Sequence, residues 1–227
     1  MKSLVGMSTI LGMTIALIGI TPKVQAQTVP MLIAQTSAEA VFAQGLEKYQ
    51  RGDYPGAIAS WTEAIRLNPK FAAAYYNRGA ARRFTDVQGA IADLNQALTL
   101  KGDYPEAYYL RGLLQTESLN NHTAAIEDFN QAIRLRPKYA AAYFKRGNTQ
   151  YRLGDVPAAI ADYNQAIAIE PDYADPYFNR AVIYYKQGDR PQPLKDLQQA
   201  ANLYQKQGDR QNYQRVMNAI KQVQGNS

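Results

Sequence analysis

Two kinds of segment with helical periodicity alternate along the middle of the chain. In one kind, apolar residues recur three and four positions apart, as they do between Ala159 and Ile169. This spacing places them on one face of an α-helix. The other kind carries two adjacent aromatic residues and ends in arginine and a small residue. Its examples are AAYYNRG (73–79), EAYYLRG (106–112), AAYFKRG (141–147) and DPYFNRA (175–181). We predict that both kinds of segment are helices.

Short turn sequences separate the two kinds of helix. The clearest are RGDYP (51–55), LGDVP (153–157) and QGDRP (187–191). Glycine suits the left-handed residue that ends a helix, aspartate caps the start of the next helix, and proline fits its first turn. The chain is therefore predicted to be a series of helix–turn–helix units.

These units recur with a period of one helix pair. Pro137 and Pro171 end similar segments and lie 34 residues apart, and Pro69 precedes Pro137 by twice that distance. A helix pair of this size cannot bury its apolar face alone, so neighbouring units have to stack.

The repeated pattern resembles the tetratricopeptide repeat. The small residue after the aromatic pair, the alanines of the second helix (Ala159 and Ala166, for example) and the closing proline match the signature of that family. The resemblance implies an all-α, right-handed solenoid. Its five repeats are 38–71, 72–104, 105–139, 140–173 and 174–204. Apolar residues on one face of 205–227 predict a C-terminal capping helix and tail.

Two columns of opposite charge run through the repeats. Arginine precedes the small residue in units two to five, and aspartate recurs in the second helix of the same units. Unit one has Gln44 and Ser60 instead, so both charges are missing together. We predict four structural ion pairs within repeats: Arg78–Asp93, Arg111–Asp128, Arg146–Asp162 and Arg180–Asp196. The alternative is that the arginines face an anionic ligand.

The two aromatic residues of each pair are predicted to have different roles. The first (Tyr75, Tyr108, Tyr143, Tyr177) lies four residues before the small residue and is expected to pack between helices. The second is rotated by about 100° on the helix. In the related fold, the first helices line a concave surface and this position faces the groove. The resemblance therefore implies a peptide-binding groove made of Phe42, Tyr76, Asn77, Tyr109, Phe144, Lys145, Phe178 and Asn179. The alternative is that these rings only pack against the neighbouring first helix.

Composition limits the chemistry of the chain. Its 227 residues include no cysteine and a single histidine, His122, so disulfides, thiolate catalysis and cysteine or histidine metal sites are excluded. The formal charge of +6 is scattered, which disfavours nucleic-acid binding. The sequence contains no phosphate-binding glycine loop and no nucleophile elbow. We expect no cofactor, no metal and no enzymatic activity.

The N-terminus has the layout of a secretory signal peptide. Lys2 precedes an uncharged stretch from Leu4 to Ile20, and VQA (24–26) supplies the small residues of a cleavage site. Residues 1–26 are the predicted signal peptide and 27–37 a linker. The alternative is an uncleaved anchor, which would be the only membrane attachment. Export predicts a periplasmic protein, or a lumenal one in the thylakoids of a photosynthetic host.

Together these features favour a non-catalytic interaction scaffold. The expected partner is a protein or an extended peptide held in the concave groove, as part of the assembly of an envelope or membrane complex. The alternative is a glycan-binding module that uses the aromatic residues of the same groove.

Overall fold

The computed structural model of the protein describes residues 38–189 and 191–225. These ranges contain eleven α-helices and no strand, which confirms the all-α prediction. The predicted signal peptide and linker lie outside the described residues. In chain order, the helices are α1 (38–50), α2 (Tyr54–Leu67), α3 (Ala72–Arg82), α4 (Val87–Leu100), α5 (Pro105–Glu117), α6 (His122–Leu135), α7 (Ala140–Arg152), α8 (Val156–Ile169), α9 (Ala174–Lys186), α10 (Pro191–Gln207) and α11 (Arg210–Gly225).

The turns between paired helices end one helix and begin the next. Before α8, Gly154 has a φ of 86°, which glycine adopts without a steric penalty, and the Asp155 side chain accepts a hydrogen bond from the backbone N–H of Ala158 at 3.1 Å. The turn before α6 lacks the Gly-Asp sequence. There Asn120 takes the left-handed conformation, with a φ of 53°, and Asn121 caps the helix. Asparagine tolerates this conformation better than most residues, so a different sequence makes an equivalent turn.

The helices form five consecutive pairs, α1–α2 to α9–α10, and each pair also contacts the next. Within a pair, a large side chain of the second helix lies against the small residue of the first. A Cβ added at Gly112 would lie 2.8 Å from Cε1 of Phe129, and one at Gly147 would lie 2.9 Å from Cε1 of Tyr163. Glycine is therefore needed there because the ring of the second helix occupies the space that a side chain would take.

The first aromatic residues pack against the core between helices, as predicted, but they do not fill the close approach within each helix pair. Tyr75, Tyr108, Tyr143 and Tyr177 are only partly buried. The close approach between paired helices is instead filled by the second helix, through its residues Trp61, Leu94, Phe129 and Tyr163. Periodicity identified the face of the first helix correctly, but it could not show which helix supplies the large side chain.

The final helix covers the apolar side of the last repeat, as predicted. Val216 and Val223 of α11 are buried in one cluster with Leu197 and Leu203 of α10. Arg215 of α11 also lies over the ring of Phe178, with 4.5 Å between the guanidinium carbon and the ring centroid. None of the helices in the described ranges combines the length and the apolar character that crossing a membrane requires.

Candidate functional site

Arginine and aspartate side chains meet inside each of the last four helix pairs. Arg146 of α7 donates two hydrogen bonds to Asp162 of α8, from Nε to Oδ2 at 2.8 Å and from Nη2 to Oδ1 at 2.6 Å. Only 6% of the Asp162 side chain and 19% of the Arg146 side chain is exposed. The same two-bond arrangement occurs in Arg78–Asp93, Arg111–Asp128 and Arg180–Asp196. The structure therefore brings together all four predicted pairs.

Each arginine also reaches the preceding repeat, a contact that the sequence analysis missed. Nη1 of Arg146 donates a hydrogen bond to Oδ1 of Asn130 at 2.6 Å, and Nη1 of Arg111 donates to Oδ1 of Asn95 at the same distance. The equivalent acceptors for Arg78 and Arg180 are Thr62 and Asn164. A sequence signal for this contact exists, because asparagine follows the column aspartate by two residues in units two to four.

The arginines have little capacity left for an anionic ligand. Their guanidinium carbons also lie 5.4–5.7 Å from the ring centroids of the first aromatic residues, Tyr75, Tyr108, Tyr143 and Tyr177. Hydrogen bonds to the paired aspartate raise the pKa of Arg111 and of Arg146. Unit one lacks the pair, and there Nζ of Lys48 donates a hydrogen bond to Oγ of Ser60 at 2.9 Å. The geometry thus favours a structural role for this column over ligand binding.

In units one to four, the second aromatic position contacts a ring immediately before the next first helix. Ring centroids are 4.8 Å apart for Phe42 and Phe71 and 5.0 Å apart for Tyr109 and Tyr139. The pairs Tyr76–Tyr104 and Phe144–Tyr173 repeat this contact. These rings therefore do pack against the neighbouring first helix, which was the alternative to a role in the groove.

Two of the predicted groove rings are too buried to offer a surface. Phe144 is 6% exposed because Tyr163 of α8 and Tyr173, the residue before α9, enclose it. Phe178 is 7% exposed and lies beneath Arg215 of the capping helix. Phe144 and Phe178 were predicted to line the groove, but side chains of neighbouring elements, which the prediction did not include, cover both of them. Phe42, Tyr76 and Tyr109 remain partly exposed.

The predicted polar groove residues bridge first helices or bond within one. Nζ of Lys145 in α7 donates a hydrogen bond to Oε1 of Glu117 in α5 at 3.0 Å. Nδ2 of Asn179 in α9 donates to Oδ1 of Asn148 in α7 at 2.7 Å. Nδ2 of Asn77 instead donates to the carbonyl oxygen of Ala73 in its own helix. We call the side of α1, α3, α5, α7 and α9 that carries these polar residues and the second aromatic positions the first-helix face.

Burial raises the pKa of tyrosines both on this face and in the core behind it. It raises the pKa of Tyr109 to about 12, and the negative charge of Glu117 adds to the effect. Burial likewise raises the pKa of Tyr163 to about 12. Both phenols therefore stay neutral at physiological pH, where they provide apolar surface and a hydroxyl. Among the described residues, no group of three or more histidine or acidic side chains is arranged to hold a metal ion.

Comparison with known proteins identifies the architecture. The family model described as "TPR repeat" matches residues 45–82, 118–154 and 151–188. The crystal structure of MamA has a TM-score of 0.66 and 26% identity, over 73% of this chain and 96% of that one. YrrB, described as a TPR protein with an unusual peptide-binding site, has a TM-score of 0.63 and 20% identity, over 80% of this chain and 90% of YrrB. PilW, described as a type IV pilus biogenesis factor, has a TM-score of 0.64 and 18% identity, over 84% of this chain and 94% of PilW.

The chain belongs to the tetratricopeptide repeat proteins, and its fold is the all-α solenoid of that family. Proteins of this class are in general scaffolds for protein interaction and are generally non-catalytic.

Proposed function

We propose that the first-helix face binds another protein, or an extended peptide from one, in the assembly of an envelope or membrane complex. The observation that carries this proposal is the continuity of the face from α5 to α9. Lys145 joins α5 to α7, and both Asn179 and Lys186 join α7 to α9. Side-chain bonds between successive first helices give one surface that spans several repeats and can accept a partner longer than one repeat.

The chemistry of the face suits an extended polypeptide. The partly exposed rings of Tyr76 and Tyr109 can accept apolar side chains, and their hydroxyl groups can bond to a peptide backbone. The described function of YrrB as a peptide-binding protein and of PilW in pilus biogenesis is consistent with such a role. Binding of this kind depends on area and shape and requires no reactive side chain.

The glycan alternative has less support from the geometry. A sugar stacked on these rings needs amide or carboxylate groups beside it, and the sequence offered Asn77 and Asn179. The side-chain N–H groups of both asparagines donate hydrogen bonds within the protein, to Ala73 and Asn148. A peptide, which brings its own backbone donors and acceptors, depends less on these two side chains.

Export remains part of the proposal. The signal sequence of residues 1–26 would deliver the repeats to the periplasm, or to the thylakoid lumen in a photosynthetic host. N-terminal sequencing of the protein purified from its own cells tests this directly. A mature chain that begins at Gln27 is expected, and an intact Met1 would contradict cleavage.

Site-specific crosslinking tests where the partner binds. A photoreactive phenylalanine analogue is placed at Tyr109 on the first-helix face or, as the matched control, at Tyr143, which lies against Arg146. Both positions are partly buried tyrosines, so the two variants are perturbed to a similar extent. A defined partner crosslinked from position 109 and not from 143 is expected. Crosslinks from 143 alone would place the partner on another surface.

A further inference from the structure

Cationic side chains without an acidic partner collect on the first-helix face. Helices α3, α5, α7 and α9, with Arg83 immediately after α3, carry nine lysines and arginines. Six of these form ion pairs with acidic side chains. Within the described ranges, the three for which no such ion pair is found are Arg83, Arg152 and Lys186.

The acidic side chains of the same four helices are already in use. There are three of them. Glu106 pairs with Arg136, and Glu117 pairs with Lys145. Asp175 accepts a hydrogen bond from the hydroxyl group of Tyr204. The part of the face formed by α3, α5, α7 and α9 therefore has an excess of positive charge that its own acidic residues do not neutralise.

Arg83 is the cation most closely associated with the exposed rings. Its guanidinium carbon lies 4.4 Å from the ring centroid of Phe84, which is 64% exposed. Its Nε atom is buried and has no hydrogen-bond partner among the described residues. Burial raises the pKa of Tyr76 and Tyr109, and the positive charge of Arg83 opposes this effect at both. The charge of Arg83 therefore interacts electrostatically with a tyrosine of α3 and with a tyrosine of α5.

The other two cations continue the same positive surface toward the C-terminal end. Arg152 ends α7 and, with Lys145 and Asn148, lines a small cavity between α5 and α7. Lys186 ends α9, and its Nζ donates a hydrogen bond to the hydroxyl group of Tyr151 at 2.8 Å. Lys186 also borders a mainly apolar cavity of about 220 Å³, lined by residues that include Val182 and Leu197.

The helix dipole accounts for only part of this pattern. Cations stabilise the C-terminal turn of any helix, and all three residues lie at the C-terminal end of a first helix, Arg83 as the C-cap of α3. Arg82, however, lies in the same turn as Arg83 and binds Asp93 at 3.0 Å. The dipole alone does not explain why Arg83 lies instead against an exposed ring, with an unpaired N–H group.

We infer that the segment bound by the first-helix face is acidic, with carboxylates interspersed among apolar side chains. This inference rests on the proposed function. A carboxylate can take two hydrogen bonds from the guanidinium group of Arg83, and further carboxylates can pair with Arg152 and Lys186. Apolar side chains of the same segment can contact Phe84 and enter the cavity beside Lys186.

Three fluorescent peptides of equal length test this inference against the full chain. One alternates glutamate with leucine, one glutamine with leucine, and one lysine with leucine. Fluorescence anisotropy gives the Kd of each peptide at low and at high salt. We expect the acidic peptide to bind about tenfold more tightly than the neutral one, with the difference reduced at high salt.

Charge-reversal variants locate the contact. R152E and K186E change exposed side chains, and R83Q removes the charge of Arg83 with a smaller effect on packing. Each is expected to weaken binding of the acidic peptide by about three- to tenfold. The control R134E makes the same change on the second helix α6, where Arg134 is exposed, and should leave the Kd unchanged.

The outcomes separate this inference from the proposed function. Equal binding of the acidic and neutral peptides, weakened by Y109A, would overturn the acidic preference and leave the first-helix face as a binding surface. Equal losses in R134E and in the three face variants would also overturn it. If none of the three peptides binds, both the inference and the extended-peptide form of the proposed function fail.

Discussion

Arg146 and Asp162 are joined by two parallel hydrogen bonds between the paired helices α7 and α8, and almost all of the aspartate is buried. The same arginine binds Asn130 of the preceding repeat. One side chain therefore connects the two helices of a repeat and the repeat to its neighbour. Because a solenoid is stable only when adjacent repeats interact, this column should affect both stability and cooperativity.

Removing the aspartate should be costly. Asp162→Ala leaves the largely buried Arg146 side chain without its counter-charge, so we expect the free energy of unfolding to fall by about 3–5 kcal/mol. Urea denaturation followed by circular dichroism measures the change. The control Glu63→Ala breaks the solvent-exposed ion pair with Arg66 and should leave the free energy of unfolding almost unchanged. A loss at Asp162 as small as that at Glu63 would show that the pair contributes little.

The contact between repeats should be separable from the pair within a repeat. Asn164→Ala removes the acceptor for Nη1 of Arg180 and leaves the Arg180–Asp196 pair in place. We expect a loss of about 1 kcal/mol and a broader unfolding transition, because coupling between units four and five is weakened. The control is Gln165→Ala, the adjacent exposed residue. Identical curves for the two variants would argue against a coupling role.

Glycine at the helix crossing should resist even the smallest substitution. Gly112→Ala raises helix propensity by about 1 kcal/mol, but its Cβ would lie 2.8 Å from the ring of Phe129. Displacing a core ring costs about 1–3 kcal/mol, so we expect net destabilisation. Gly102→Ala is the control, since its Cβ would meet nothing closer than 3.9 Å. A more stable Gly112→Ala protein in thermal unfolding would contradict the close packing described here.

The sequence was sufficient to predict features that become visible when equivalent positions of the repeats are compared. The period, the Gly-Asp turns and the paired absence of charge at Gln44 and Ser60 follow from comparing columns. These signals gave the helix order and the partners of Arg78, Arg111, Arg146 and Arg180.

Features that depend on three-dimensional packing were harder to predict. Phe144 occupies the same position in α7 that Tyr109 occupies in α5. Tyr163 and Tyr173 nevertheless bury Phe144 more completely than the neighbours of Tyr109 bury that ring. Arg215, which covers Phe178, belongs to the cap and to no repeat column. Helical periodicity gives the direction in which a side chain points, and burial depends in addition on what the next element places there.

Tyrosines whose pKa is raised should make the fold sensitive to alkali. Tyr109 and Tyr163 have a folded-state pKa of about 12, whereas an unfolded tyrosine ionises near 10. Because the folded-state pKa is the higher one, folding favours the neutral phenol. The stability that this supplies is complete below about pH 10 and is lost as the pH rises toward 12. Tyrosinate absorbance and circular dichroism, measured together, should show late-ionising tyrosines and unfolding within this window.

Tyr109→Phe should remove one late-ionising group and move the onset of unfolding to higher pH. An unchanged titration curve in that variant would show that Tyr109 is not among the late-ionising residues.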